Sequence, residues 1–75
     1  MGYKCKSLFR GSFNFNRSPR IEYAWAYTER QAWAIMCKRM AKKDGVADSY
    51  VMGLFDGSRD NYQITIEVEI KEVAK

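Results

Sequence analysis

Histidine is absent from this chain, and its absence bears first on catalysis. The 75 residues include thirteen Lys and Arg and nine Asp and Glu, but none of the imidazole groups that most often exchange protons near neutral pH. No nucleophile stands in a motif with an activating base, and the five glycines are scattered rather than gathered in a phosphate-binding loop. We therefore predict that the protein is not an enzyme and that it binds no cofactor or metal.

Cysteines and long apolar runs are also scarce. The two cysteines, Cys5 and Cys37, are too few and too far apart for a metal-binding knuckle, so we expect both to be reduced core residues with no disulfide between them. No apolar run approaches the roughly 18 residues that a membrane span needs, and the N-terminus does not resemble a signal peptide. These absences predict a cytoplasmic protein without membrane association.

Length and charge limit the kinds of partner. Seventy-five residues suffice for one small domain covering 1–75. A chain of this size buries only about 60% of its unfolded surface, so self-association would add useful stability. The net charge of +4 and the pI near 9.2 favour acidic partners, either nucleic acid or an acidic protein surface.

Residues 28–43 carry every signal of a helix. Thr28 is a good N-cap, and Gln31 three residues later completes the pattern of a capping box. Basic side chains in the last turns suit the helix dipole, and Gly45 suits the left-handed residue that follows a helix. Five residues at helical spacing form an apolar stripe that we assign to the core: Ala32, Trp33, Met36, Cys37 and Met40.

The other segments are predicted to be extended. Residues 3–15 and 21–27 alternate with a period of two, and the turn residues 16–19 would join them in a hairpin, with a bulge or bend at Gly11. Residues 49–55 predict a short third strand, with a short helix beginning at Asp48 as the alternative. The turn residues 56–61 would connect this strand to a fourth.

The fourth strand, residues 62–70, alternates regularly. Its predicted inward residues are Tyr62, Ile64, Ile66, Val68 and Ile70, and Glu67 and Glu69 would point together from the uncovered face. Residues 71–75 are expected to fray. The predicted fold is therefore an α+β two-layer sandwich in the order β-β-α-β-β, with a four-stranded antiparallel sheet and one helix on one face.

The register of the first hairpin decides which side chains of the second strand are exposed. If Phe15 lies opposite Ile21, all the aromatic residues share the core face; a shift of one residue instead places Ala24 and Ala26 beneath the helix. We favour the shifted register, because small residues suit a strand that a helix covers closely. The helix also spans only about 22 Å, against about 43 Å for the first strand, and cannot cover every ring.

The shifted register would place aromatic rings beside basic side chains. Residues 8–15, LFRGSFNF, resemble the glycine and aromatic run with which RNA-recognition and cold-shock domains stack bases, although the predicted helix count fits neither family. Eight residues form the predicted binding surface: Lys4, Lys6, Arg10, Arg17, Arg20, Tyr23, Trp25 and Tyr27. We expect this surface to bind a protein partner, as an inhibitor or adaptor would, or a second copy of the chain. Nucleic acid is the alternative partner.

Overall fold

The computed structural model describes residues 6–15 and 17–69. Its three strands form an antiparallel sheet in which the first strand lies between the other two. The α+β class is confirmed, but the prediction of four strands and one helix is wrong, because these described residues form three strands and two helices. In chain order the elements are β1 (Ser7–Phe15), β2 (Ser18–Ala26), α1 (Glu29–Asp44), α2 (Asp48–Leu54) and β3 (Tyr62–Glu69).

Helix α2 replaces the predicted third strand. Val51 and Phe55 are both buried, and their spacing of four residues places them on one face of a helix. A strand here would also lack a place beside β1, which already pairs with β2 on one edge and with β3 on the other. Residues 56–61 therefore connect a helix to a strand, and the predicted second hairpin is wrong.

Two side chains form hydrogen bonds with backbone carbonyls at the C-terminal end of α2. The indole Nε1 of Trp33 donates to the carbonyl of Phe55 at 2.9 Å, and Nδ2 of Asn61 donates to the carbonyl of Leu54 at 2.8 Å. These bonds satisfy carbonyls that a helix end leaves without a partner. Trp33 is accordingly half-buried between α1 and the end of α2, whereas Met36 on the same stripe is fully buried.

Helix α1 agrees with its prediction to within one residue at each end. The Thr28 hydroxyl accepts a hydrogen bond from the backbone N–H of Gln31 at 3.0 Å, and the Gln31 side chain accepts from the N–H of Tyr27 at 2.8 Å. The second bond therefore reaches one residue further back than in a capping box. Gly45 ends the helix in the left-handed region, at φ 68°.

The register of β1 with β2 places the small residues of β2 beneath the helix, as predicted. Leu8 pairs with Trp25, and Phe9 pairs with Ala24. Ala24 and Ala26 are only 2% and 1% exposed beneath α1, whereas Tyr23, Trp25 and Tyr27 are each 45% exposed. The exposure predicted from the shifted register is thus confirmed, but the shift is three residues rather than one, because Phe15 pairs with Ser18 and not with a neighbour of Ile21.

Gly11 allows close packing and does not form a bulge. It pairs regularly with Glu22 and with Ile64. A Cβ at this position would lie 2.5 Å from Sδ of Met36 and 2.6 Å from Cε1 of Phe13, closer than atoms can pack. The prediction of a bulge at Gly11 is wrong because the glycine is required by the approach of α1.

The bulge lies in the pairing of β1 with β3. Leu8 pairs with Val68, but the next residue of β1, Phe9, pairs with Ile66, so Glu67 has no partner. The extra residue reverses the alternation beyond it. Val68 therefore does not share the inward face with Ile66, and the predicted alternation of the whole strand is wrong at this point.

The hairpin between β1 and β2 has a tighter turn than predicted. Phe15 pairs with Ser18, so the connection contains only residues 16–17, and Ser18 and Pro19 already belong to β2. Arg17 has a positive φ of 64°. Pro19 is tolerated because β2 lies at an edge of the sheet. The predictions for Asn16, Ile70, residues 1–5 and residues 71–75 lie outside the described residues.

Candidate functional site: the open face of the sheet

The sheet surface opposite the helices, here called the open face, is built from three rows of paired residues. In the first row Leu8 lies between Trp25 and Val68. The second row places Arg10 between Tyr23 and Thr65, and the third places Ser12 between Ile21 and Gln63. Because residues paired across strands share one side of a sheet, these nine side chains form a single surface.

Large apolar groups dominate this surface. Four of its residues are large hydrophobic side chains with more than two fifths of their surface exposed: Ile21, Tyr23, Trp25 and Val68. Half-buried Leu8 connects Trp25 to Val68 across the central strand. This clustered apolar exposure makes the open face a candidate contact surface.

The charged side chains of the open face are basic. Arg10 lies at its centre between Tyr23 and Thr65. At one end, Nζ of Lys6 lies 5.6 Å from the ring centroid of Tyr27, within the range of a cation–π contact. Among the paired residues of the open face none is acidic. The expectation that Glu67 and Glu69 point together from this face depended on a regular alternation, which the bulge breaks.

The structure separates seven of the eight predicted binding residues into three groups. Lys6, Arg10, Tyr23, Trp25 and Tyr27 lie on the open face or at its end. Arg17 is exposed at the tip of the hairpin, beyond the paired rows. Lys4 lies outside the described residues, and Arg20 lies on the opposite side of the sheet.

Arg20 links β2 to the end of α1. It pairs with the buried Phe13, and its guanidinium carbon lies 5.1 Å from the ring centroid of Phe15. Its Nη2 donates to both carboxylate oxygens of Asp44, at 2.9 and 3.2 Å. Arg20 is therefore not part of the open face.

Two further contacts tie β2 to α1. Glu22 is buried, and its Oε2 accepts a hydrogen bond from Nζ of Lys43 at 2.9 Å. The Arg39 guanidinium donates to the backbone carbonyl of Tyr23. With the Arg20 pair, these contacts hold β2 against the second half of α1, so the rings of the open face project from a fixed strand.

Sequence reasoning missed three aliphatic members of the open face: Leu8, Ile21 and Val68. Leu8 and Ile21 could have been found, because they share the period of two with Arg10 and with Tyr23. Val68 carried no such signal, because its side depends on the bulge.

Reactive groups are few in the described part of the chain. Burial raises the pKa of the Cys37 thiol from its ordinary 9.0 to about 12, so this thiol stays protonated at neutral pH and is a poor nucleophile. Residues 6–15 and 17–69 contain no group of three or more potential metal ligands. In these same ranges no helix is both long and apolar enough to cross a membrane. Cys5 lies outside them, so its oxidation state stays a prediction.

Comparison with protein-family models, with curated proteins and with solved structures finds no match to this chain. Its function has to be inferred from its own residues.

Proposed function

We propose that this protein is a small binding module, without enzymatic activity, that uses its open face to contact an acidic surface on a protein partner. The observation that carries the proposal is the exposure of Tyr23 and Trp25 beside Arg10, on a face whose paired residues include no acid. Tyr, Trp and Arg are the residues that most often supply the binding free energy of protein interfaces.

The aliphatic side chains favour a protein over a nucleic acid. Leu8, Ile21 and Val68 are interleaved with the rings, and they gain free energy by burial against apolar groups. Bases, in contrast, stack on flat rings, and such stacking makes little use of branched aliphatic groups. A partner with apolar side chains surrounded by carboxylates would complement both the rows and the charge.

Binding of single-stranded nucleic acid is the second candidate. Lys6 and Arg10 provide positive charge next to three exposed rings, which is the combination that unspecific single-strand binders use. Exposed Arg17 at the hairpin tip would extend this charge. The two candidates differ in their response to salt, because nucleic-acid binding releases condensed counterions.

The test begins with identification of the partner by affinity capture and cross-linking mass spectrometry from the native cell. Dissociation constants are then measured by calorimetry with the purified partner. We expect Trp25→Ala and Arg10→Gln each to weaken binding about tenfold or more, as interface anchors do. The matched control is Tyr50→Ala, because Tyr50 is an exposed ring on α2. Equal losses for Trp25→Ala and Tyr50→Ala would contradict the proposal.

The nucleic-acid candidate is tested with single-stranded DNA and RNA oligonucleotides of mixed sequence. Tryptophan fluorescence is followed during titration at low and at physiological salt, with Trp25→Ala as the control for the source of the signal. The protein proposal expects little quenching at physiological salt. Quenching that needs Trp25, together with an affinity that falls steeply with salt, would favour nucleic acid instead.

A further inference from the structure

The two outer edges of the sheet differ in how their backbone groups are covered. The backbone N–H of Asn14 donates to the carbonyl of Asn61 at 2.9 Å, so Asn14 directs its backbone toward β3. In an antiparallel ladder, hydrogen-bonded pairs alternate with pairs that exchange no hydrogen bonds. Because Asn14 bonds toward β3, its pair with Pro19 on the other side exchanges none, and the backbone groups of Pro19 point away from β1. By the same alternation, the backbone N–H and C=O groups of Ile21, Tyr23 and Trp25 point toward the outer edge of β2.

The outer edge of β2 is blocked against strand pairing. Pro19 has no N–H to offer, and Arg39 already occupies the outward carbonyl of Tyr23. Proline and a bound charged side chain are the devices with which natural sheets prevent the addition of another strand.

The outer edge of β3 has no such protection. Gln63 pairs with Ser12, and Thr65 pairs with Arg10. Ser12 and Arg10 lie two and four residues before Asn14, so they also direct their backbone groups toward β3 and form hydrogen bonds with these partners. Tyr62, Ile64 and Ile66 therefore direct their N–H and C=O groups outward, and no described strand pairs with them. Residues 62–66, YQITI, contain no charge and no proline.

Apolar side chains stand beside these outward groups. Ile66 lies on the helix side of the sheet opposite Phe9, yet it is 53% exposed. Next to this edge a cleft of about 320 Å³ separates α1 from β3, and Trp33, Phe55, Tyr62 and Ile64 contribute to its walls. An uncharged edge with exposed apolar groups is unfavourable in a protein that stays alone.

We propose that this edge pairs with the same edge of a second copy of the chain. Hydrogen bonds between the two copies can form only where residues with outward N–H and C=O groups lie opposite each other. An antiparallel arrangement about a twofold axis at Ile64 satisfies this condition. Ile64 then lies opposite itself, Tyr62 lies opposite Ile66, and Gln63 lies opposite Thr65. No like charges meet across these pairs, and the apolar groups cover one another.

The distribution of charge favours the β3 edge over the open face as the binding site for a second copy. The clefts beside β3 are lined by two acidic residues, Glu29 and Asp56, and by two basic residues, Arg30 and Arg59, so two copies can meet there without a net repulsion. The open face carries Arg10 at its centre, and two copies packed through it would oppose cation to cation. The second copy therefore belongs at the β3 edge, and the open face stays free.

Pairing through β3 would produce a six-stranded sheet in the order β2-β1-β3-β3-β1-β2. Its two open faces would be continuous, with the two β2 strands about 24 Å apart at five spacings of about 4.8 Å. The β3 edge is separate from the open face, so this dimer does not depend on the proposed function.

Sedimentation equilibrium of the full chain over a wide micromolar range tests the dimer. We expect the mass of the wild type to rise from 8.8 kDa toward twice that value. Ile66→Lys places a charge at the edge and should give a monomer, while the matched control Val46→Lys, at an exposed position in the connection after α1, should dimerise as the wild type does. Trp25→Ala should also still dimerise.

Two results in this series would overturn the dimer proposal. One is a wild-type mass of 8.8 kDa at every concentration. The other is a dimer that Trp25→Ala dissociates and Ile66→Lys does not, which would move the contact to the open face. Neither result depends on whether an acidic partner binds.

Amide hydrogen exchange of the wild type avoids any dependence on whether a variant folds. The amides of Ile64 and Ile66 should exchange rapidly in dilute solution and slowly when dimers form, because their bonds would cross the axis. The amide of Thr65, which bonds within one copy, is the internal control. Rapid exchange of Ile64 and Ile66 at all concentrations would contradict the proposal.

Discussion

The two faces of β2 distribute large and small residues in opposite ways. The face beneath α1 places Ala24 and Ala26 close to the helix, whereas the open face presents Tyr23 and Trp25. Burial of a large apolar side chain is worth about 1.5–3 kcal/mol, so exposed rings leave stability unused. The small residues allow the close approach of α1, and the exposed rings are the ones to which we assign the proposed contact.

The faces also differ in how their side chains are held. Beneath α1, Arg20 pairs with Asp44 and Glu22 pairs with Lys43, each at 2.9 Å. On the open face the large side chains remain accessible. One face is thus held by contacts within the fold, and the other is the face proposed to bind a partner.

The largest expected effect separates core packing from surface exposure. Met36→Ala removes a fully buried side chain and should lower the free energy of unfolding by about 2–5 kcal/mol. Ile21→Ala, on the open face, should cost less than about 1 kcal/mol, because much of the side chain is already in water. Chemical denaturation of both variants checks the difference. Similar losses would mean that the two faces do not differ in this way.

A smaller effect tests the close approach at Gly11. Gly11→Ala should lower the free energy of unfolding by about 1–3 kcal/mol, because the added methyl meets Met36 and Phe13. In a Met36→Ala background the same substitution should cost less, since one of the two contacting side chains is shortened.

The control for Gly11 is Gly53→Ala in α2. A Cβ at Gly53 meets nothing within 4 Å, and alanine favours helix by about 1 kcal/mol over glycine. This variant should be neutral or more stable. If Gly11→Ala behaves in the same way, the contact between α1 and β1 is looser than the structure shows.

The smallest effect at neutral pH concerns the Cys37 thiol of the buried face. Its folded pKa of about 12 lies above the ordinary 9.0, so folding favours the protonated form. This stabilisation is fully present below about pH 9 and is lost as the pH rises toward about 12. The difference in unfolding free energy between wild type and Cys37→Ala, measured from pH 7 upward, should therefore shrink in alkali. A difference that stays constant to about pH 12 would contradict the assigned burial.

Part of the open face was predictable, because its signals are local in the chain. Ala24 and Ala26 alternate with Tyr23 and Trp25, and a strand that must fit under a helix exposes the larger set. The role of Arg20 was not predictable, because its partner Asp44 is 24 residues away in the chain. Basic residues on one hairpin therefore separate into surface and structural groups only when the helix is in place.

The sequence by itself determined the bounds of α1, the β1–β2 hairpin, the extended state of residues 62–69 and the basic net charge. These features follow from caps, turn residues and periodicity, whose effects extend over a few residues. Only the tertiary structure decided that residues 48–54 are helical, that β1 lies at the centre of the sheet, and that a bulge moves Val68 to the open face. The reason is physical: a short apolar run can bury itself as helix or as strand, and the choice depends on which neighbours, distant in sequence, already occupy the space around it.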